Sequence, residues 1–178
     1  MKLKLIVKHF GLFLSWLPFI SSVPANELRI GQQAPGFTLQ THDDETFSLA
    51  SRQGQGWTVL YFYPKAGTPG CTTQACAFRD AIEVLRRQGV EVYGISTDDV
   101  QDLRAFHRKH KLTFTLLSDP DAKVTGSYGV KMPILNLAKR WTFIIAPDLT
   151  VRQIDDDVDP ALDAQRVAER LQKLQGAD

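Results

Sequence analysis

The sequence predicts an α/β domain: a central mixed β-sheet flanked by helices on both faces, with a β-hairpin extension at the N-terminal side. Three observations carry this reading. The apolar, aromatic-rich run at residues 57–63 has the composition of a buried strand, a stripe of Cys71, Ala75, Phe78, Ile82 and Leu85 recurs at helical spacing after it, and residues 90–95 read as a second buried strand. Strand, helix and strand in that order predict a parallel pair joined by a right-handed crossover. Residues 141–145 and 151–154 flank Pro147 and Asp148, as in an antiparallel hairpin. Finally, 178 residues with 43% hydrophobic content fit one globular domain.

The first 25 residues stand apart from that domain. Lys2, Lys4 and Lys8 precede an apolar stretch at 10–20, which is shorter than the roughly 20 residues a membrane helix requires. Val23 and Ala25 supply small residues before Asn26, so 1–25 reads as a cleaved signal peptide and 26–178 as the mature domain. An uncleaved interfacial anchor is the alternative. Either way export is expected, to the periplasm or an equivalent organellar lumen, with no stable membrane insertion once the signal is cleaved. The mature chain keeps 18 basic against 20 acidic residues, a net charge of −2, and has no nucleic-acid-binding motif.

Along the mature chain, Phe37, Leu39, Phe47 and Leu49 alternate around a polar run at 41–45, which predicts a small hairpin over one end of the core. Asp98 or Asp99 caps a helix running to about His110; residues 114–117 are short and apolar, and 121–128 form a further short helix. Asp159 and Pro160 open the last helix, whose apolar face is Leu162, Val167, Ala168, Leu171 and Leu174. His107 and His110 have a spacing that can bind metal, but Arg104, Arg108, Lys109 and Lys111 surround them, as on a solvated face. Asp155, Asp156 and Asp157 lack the ligand spacing of a calcium loop and read as a turn.

The chemistry concentrates at residues 61–76, which hold both cysteines of the chain. Pro64, Gly67, Pro69 and Gly70 force a loop after the first strand, and Gly89 marks the end of the helix beyond it. Cys71 therefore opens a helix at the carboxyl end of a core strand. Unpaired first-turn N–H groups and the positive end of the helix dipole favour a thiolate there, making Cys71 a candidate nucleophile. At about 100° per residue Cys71 lies on the buried stripe and faces a pocket, whereas Cys76 lies about 140° round from it. Their Cα atoms would be about 8.7 Å apart, beyond the roughly 7 Å that a disulfide bridges, so pairing within the chain requires the helix to loosen. In an oxidising compartment a structural bridge is the competing reading of two cysteines.

The segment PKAGTPGCTTQACAFRD resembles the active-site segment of the Q-type, or bacterioferritin-comigratory, peroxiredoxins. It places Pro64, Thr68 and Cys71 in the P-x-x-x-T-x-x-C pattern, with the second cysteine five residues on. The similarity runs from about Gly31 to the final helix, through GVEVYGIS, FTLLSDPDAKV and KRWTFIIAPD in order. The resemblance implies a thioredoxin-like fold, Cys71 as the peroxidatic cysteine, Cys76 as the resolving one, Pro64 shielding the sulfur, and Arg140 as the active-site arginine. Ala138 and Lys139 ahead of Arg140, and the lack of a Gly in the turn after the strand, depart from the pattern.

The implied reaction is attack of the Cys71 thiolate on hydrogen peroxide or an organic hydroperoxide, followed by condensation with Cys76 and reduction by an external thioredoxin-like dithiol. No metal or organic cofactor is needed, and a monomer is expected, with a dimer as the alternative. Ionisation alone does not give speed. A free thiol of pKa about 8.5 is about 3% ionised at pH 7, so full ionisation gains about thirtyfold, while a drop of about three units costs about twentyfold in nucleophilicity. The remainder must come from holding the peroxide in line and stabilising its departing oxygen. The Gly70 and Cys71 N–H groups, the Thr68 hydroxyl and Arg140 are the nominated donors. Two other activities fit an exported cysteine pair: copper delivery of the Sco type, which resembles a C-x-x-x-C spacing, and general disulfide exchange, which normally uses C-x-x-C.

Overall fold

The computed structural model describes residues 28–176, so the expected signal segment lies outside the described residues. In chain order the elements are β1 (Thr38–Thr41), β2 (Thr46–Ser48), a 3-10 turn (Leu49–Arg52), β3 (Trp57–Phe62), α1 (Pro69–Arg87), β4 (Val90–Ser96), α2 (Val100–His110), β5 (Thr115–Ser118), α3 (Lys123–Ser127), β6 (Trp141–Ile145), β7 (Val151–Asp155) and α4 (Asp163–Gln175). The strands form one mixed sheet in the order β2-β1-β5-β4-β3-β6-β7. Strands β3, β4 and β5 are parallel neighbours, while β6 and β7 extend one edge and β1 and β2 the other, all antiparallel.

The central strand β3 is buried along its whole length, which explains why its sequence is apolar without interruption. Its side chains still alternate between two cores. Val59, Tyr61 and Tyr63 point to a face covered by α1, α2 and α4, where they join Phe78, Ile82, Leu103, Phe106 and Leu171. Leu60 and Phe62 point to the other face, with Ile95, Phe143, Val124, Tyr128 and Leu49. The successive crossovers from β3 to β4 and from β4 to β5 step in the same direction, so right-handedness puts α1 and α2 on the same side. Helices therefore cover both faces, but unequally: among the described residues only the five-residue α3 and the 3-10 turn lie on the second. Gly94 is required opposite Tyr61, because a Cβ there would lie 2.5 Å from the Tyr61 hydroxyl.

Several expectations need correction. The N-terminal hairpin is present as the expected extension, but it lies at the sheet edge: β1 pairs with β5, and Phe37, Leu39 and Phe47 pack against the second core. The last helix begins at Asp163, not at Asp159 and Pro160. Those two residues form a preceding turn, in which the Asp159 carboxylate accepts from the Ala161 N–H at 2.8 Å. Leu162, assigned to the apolar face, ends up exposed because it lies outside that helix. His107 is half-buried and stacks on His42 with ring centroids 3.8 Å apart, which joins the hairpin loop to α2. Burial holds both imidazoles below their ordinary range. Asp155 is the last residue of β7 and pairs with Arg170 at 2.6 Å, so only Asp156 and Asp157 belong to the bend. Finally, Asp99 caps α2, accepting from the Asp102 N–H, which frees Asp98 for another task.

Candidate active site

Beyond β3 the Tyr63 N–H still donates to Ile95, after which the chain turns through residues 64–68. Gly67 takes φ +78°, a region open to glycine. The loop is tied down by Asp98, whose Oδ2 accepts from the Ala66 N–H at 2.8 Å and from the Ser96 hydroxyl at 2.7 Å. Thr68 is the N-cap of α1 and Pro69 its first residue, where a missing N–H costs nothing. The Thr68 side chain does not cap the helix; its hydroxyl donates to the Lys65 carbonyl at 2.9 Å. Thr68 therefore meets an incoming molecule through its oxygen lone pairs, which corrects its nomination as a donor. The first-turn N–H groups of Gly70 and Cys71 keep their free hydrogens, and that turn carries no acidic residue. At the other end, Gly89 follows Gln88 with φ +72° and stops the helix.

Cys71 is 1% exposed and packs in the core that contains Tyr61, Tyr63, Ala75 and Phe78. Tyr61 stacks on Phe78 with centroids 4.8 Å apart, and burial pushes both tyrosine phenols well above their ordinary range, so this wall stays neutral. Among the described residues the charged group in contact with the sulfur is Arg140, whose Nη2 lies 3.4 Å from Sγ. Gly70 makes room for it, since a Cβ there would sit 3.2 Å from that Nη2. The other guanidinium nitrogen, Nη1, donates to Gln74 Oε1 at 2.5 Å. Gln74 Nε2 in turn donates to Asp163 Oδ2 at 2.7 Å, and Thr142 Oγ1 donates to the same oxygen at 2.8 Å. Desolvation raises the Asp163 carboxyl above the usual range, partly offset by those two hydrogen bonds.

Cys76 is half-buried, further along α1 beside Arg79. Both thiols are free and the helix is continuous from Pro69 to Arg87, so a bond between them requires local unwinding. A cavity of about 310 Å³ opens along the loop, lined by Lys65, Gly67, Asp98, Asp102, Phe106 and Lys109 among others. Cys71 does not line it, contrary to the expected pocket-facing sulfur. Pro64, Thr68, Gly70 and Arg140 are each half-buried, and Arg140 is the one of them shown in contact with the sulfur.

The structure thus gathers Pro64, Thr68, Cys71 and Arg140 at the carboxyl end of β3, with Cys76 further along α1 outside that group. The sequence reading missed Gln74, Asp98, Thr142 and Asp163. Gln74 was within reach of it: a polar residue three positions after Cys71 shares its helical face, between the buried positions 71, 75 and 78. Asp163 was not, because its contact to Gln74 spans 89 residues.

With this geometry in place, the comparisons are specific. The AhpC/TSA family model matches residues 30–154, and the chain belongs to that family. Within it, the chain is similar to Peroxiredoxin Bcp of Escherichia coli, 43% identical over 138 residues, covering 74% of this chain and 88% of that protein. It is similar to the chloroplastic Peroxiredoxin Q of Populus jackii, 46% identical over 116 residues; that match covers 65% of this chain and about half of the relative, 54%. Among solved structures it resembles the bacterioferritin comigratory protein of Xanthomonas campestris, described for its alkyl peroxide reduction activity, with 28% identity, a TM-score of 0.73, and coverage of 77% of this chain and 90% of that one.

Proposed function

We propose that this protein is a thiol peroxidase in which Cys71 reduces hydrogen peroxide and organic hydroperoxides. The observation that carries the reading is a buried cysteine sulfur in the first turn of α1 with a guanidinium nitrogen 3.4 Å away. That donor, together with the free N–H groups of Gly70 and Cys71, stabilises negative charge at sulfur and on the oxygen that leaves. The Cys71 thiolate attacks one peroxide oxygen, the O–O bond breaks, and the other oxygen departs as an alkoxide or hydroxide that takes up a proton. Cys71 is left as the sulfenic acid. The Cys76 thiol then displaces that hydroxyl as water, forming the Cys71–Cys76 disulfide once the turn between them loosens. An external thioredoxin-like dithiol reduces the disulfide by exchange.

The names of the relatives and the alkyl peroxide activity of the Xanthomonas protein support the substrate class. The basic and apolar N-terminal sequence supports export, with residues 26–178 as the working domain. Copper delivery gains no support, because a guanidinium at the sulfur repels a cation. Mass spectrometry of the intact protein before and after one equivalent of peroxide tests the scheme. The expected result is loss of two hydrogens, with the Cys71–Cys76 bond found in the digest. Unchanged mass with peroxide left in solution would overturn it.

A further inference from the structure

We infer that Asp163 is a positioning residue for the peroxide step, acting through the polarity of the Gln74 amide. This rests on the peroxidase reading of Cys71. Arg140 has donors only, so it is held by Gln74 only when the amide turns its oxygen towards Nη1. The two ends of an amide are nearly alike in shape, so its orientation is set by its hydrogen-bond partners. The far side of the amide decides. Asp163 Oδ2 accepts from Gln74 Nε2, so the nitrogen is held there and the oxygen faces Arg140. Thr142 donates to that same Oδ2 and fixes the carboxylate in turn.

The chain of contacts therefore has one direction, from Thr142 and Gln74 as donors into Asp163, and from Arg140 into Gln74. Without an acceptor at 163 the amide can reverse. Its NH2 group would then meet the guanidinium, donor against donor, and Nη2 would be displaced from the 3.4 Å contact with Sγ. All intermediate members are buried: Gln74 is fully sealed, and Asp163 and Thr142 are each 1% exposed. Water is thus excluded from repairing a wrong orientation, and an unpaired group there carries its full desolvation cost. The other groups facing Asp163 are Asp155 on β7, Arg170 on its own helix and Tyr61 on β3. Arg170 is engaged by Asp155, which leaves Gln74 and Thr142 as the hydrogen-bond partners of the carboxylate.

The test is a rescue experiment on the full chain, reading the second-order rate constant for hydrogen peroxide consumption. Asp163→Leu removes the acceptor and should lower that constant about tenfold, the scale for losing one aligned donor in part. Adding Gln74→Glu to that variant should return it to within about threefold of the parent, because a carboxylate presents an oxygen to Arg140 whichever way it turns. Asp163→Asn, which can offer its amide oxygen to both donors, should also stay within about threefold. A parental rate in Asp163→Leu, or no recovery on adding Gln74→Glu, overturns the inference; a purely structural role would not be repaired by a second buried charge. If Asp163→Leu alone does not fold, Asp163→Ala takes its place and is judged by the same two outcomes. A parent chain that leaves peroxide intact would instead defeat the peroxidase reading itself.

Discussion

Cys71 and Cys76 lie five positions apart on one helix, yet they meet opposite conditions. The first sits in the opening turn, 1% exposed, against Tyr61 and Tyr63 and within 3.4 Å of Arg140 Nη2. The second is half-buried beside Arg79, a turn and a half further along. The difference is one of helical angle. Five residues turn the side chain about 140° away from the stripe that packs on β3, and with it away from every group that acts on the first sulfur. What this teaches is that one residue type meets two environments on one helix, and on the proposed reading these suit two roles: attack where the sulfur is dry and faces a cation, and resolution where it is reachable by a loosened backbone.

The sharpest way to break the contrast is Cys71→Ser. Peroxide reduction should fall by more than about a thousandfold, since removal of the nucleophile leaves only positioning groups. Peroxide consumption by that variant, measured with Cys76 intact, would show the second cysteine to be competent by itself. Next, Cys76→Ser should keep the first peroxide step within about twofold of the parent while turnover with a dithiol donor drops by about a hundredfold, leaving sulfenic acid or a cross-link between chains. A dimedone adduct on Cys71 after one equivalent of peroxide would record this, and parental turnover would remove Cys76 from the scheme. A smaller effect belongs to Thr68→Val. It deletes the lone pairs offered to the incoming peroxide and should slow sulfenic acid formation about tenfold.

The mildest change is expected from pH. Burial raises the Asp163 carboxyl above its usual range in the folded protein. The folded state therefore holds that proton at pH values where the unfolded chain has released it. This contribution to stability is complete below about pH 4 and is lost as pH rises through the folded value. Asp163→Asn removes the titration, so the urea midpoint of the parent should fall relative to the variant between pH 4 and pH 7. A constant difference between the two chains would show that Asp163 ionises as freely in the fold as outside it.

Much of this was legible in the chain. Period and composition placed β3, α1, β4 and the β6–β7 hairpin to within a residue or two, because each is defined by local apolar spacing and by turn residues next to it. The resemblance of 64–80 placed Pro64, Thr68 and Cys71, which local backbone then brings together. The errors share a different origin. Pro160 suits a first helical turn, yet the tertiary fold uses 159–162 as a turn that lays Pro160 near Gly70, with its Cγ 3.8 Å from where a Cβ would stand. His107 had the neighbours of a solvated residue, and only the tertiary fold brought it the His42 ring from the hairpin and the Phe114 backbone.

Local sequence alone determined where the reactive thiol stands: a strand too apolar to be anything but buried, a loop of Pro and Gly that ends it, and a helix that begins within three residues of Cys71. Those are short-range effects, written in the propensities of adjacent residues. The resemblance named Arg140 and the helical face made Gln74 legible, but the tertiary structure alone decided how they are joined to each other and to Thr142 and Asp163. Arg140, Gln74, Thr142 and Asp163 come from β6 or its approach, α1 and α4, and their hydrogen bonds join positions 21 to 89 residues apart. Such contacts depend on how the sheet orders its strands and stacks its helices, and no spacing along the chain encodes them.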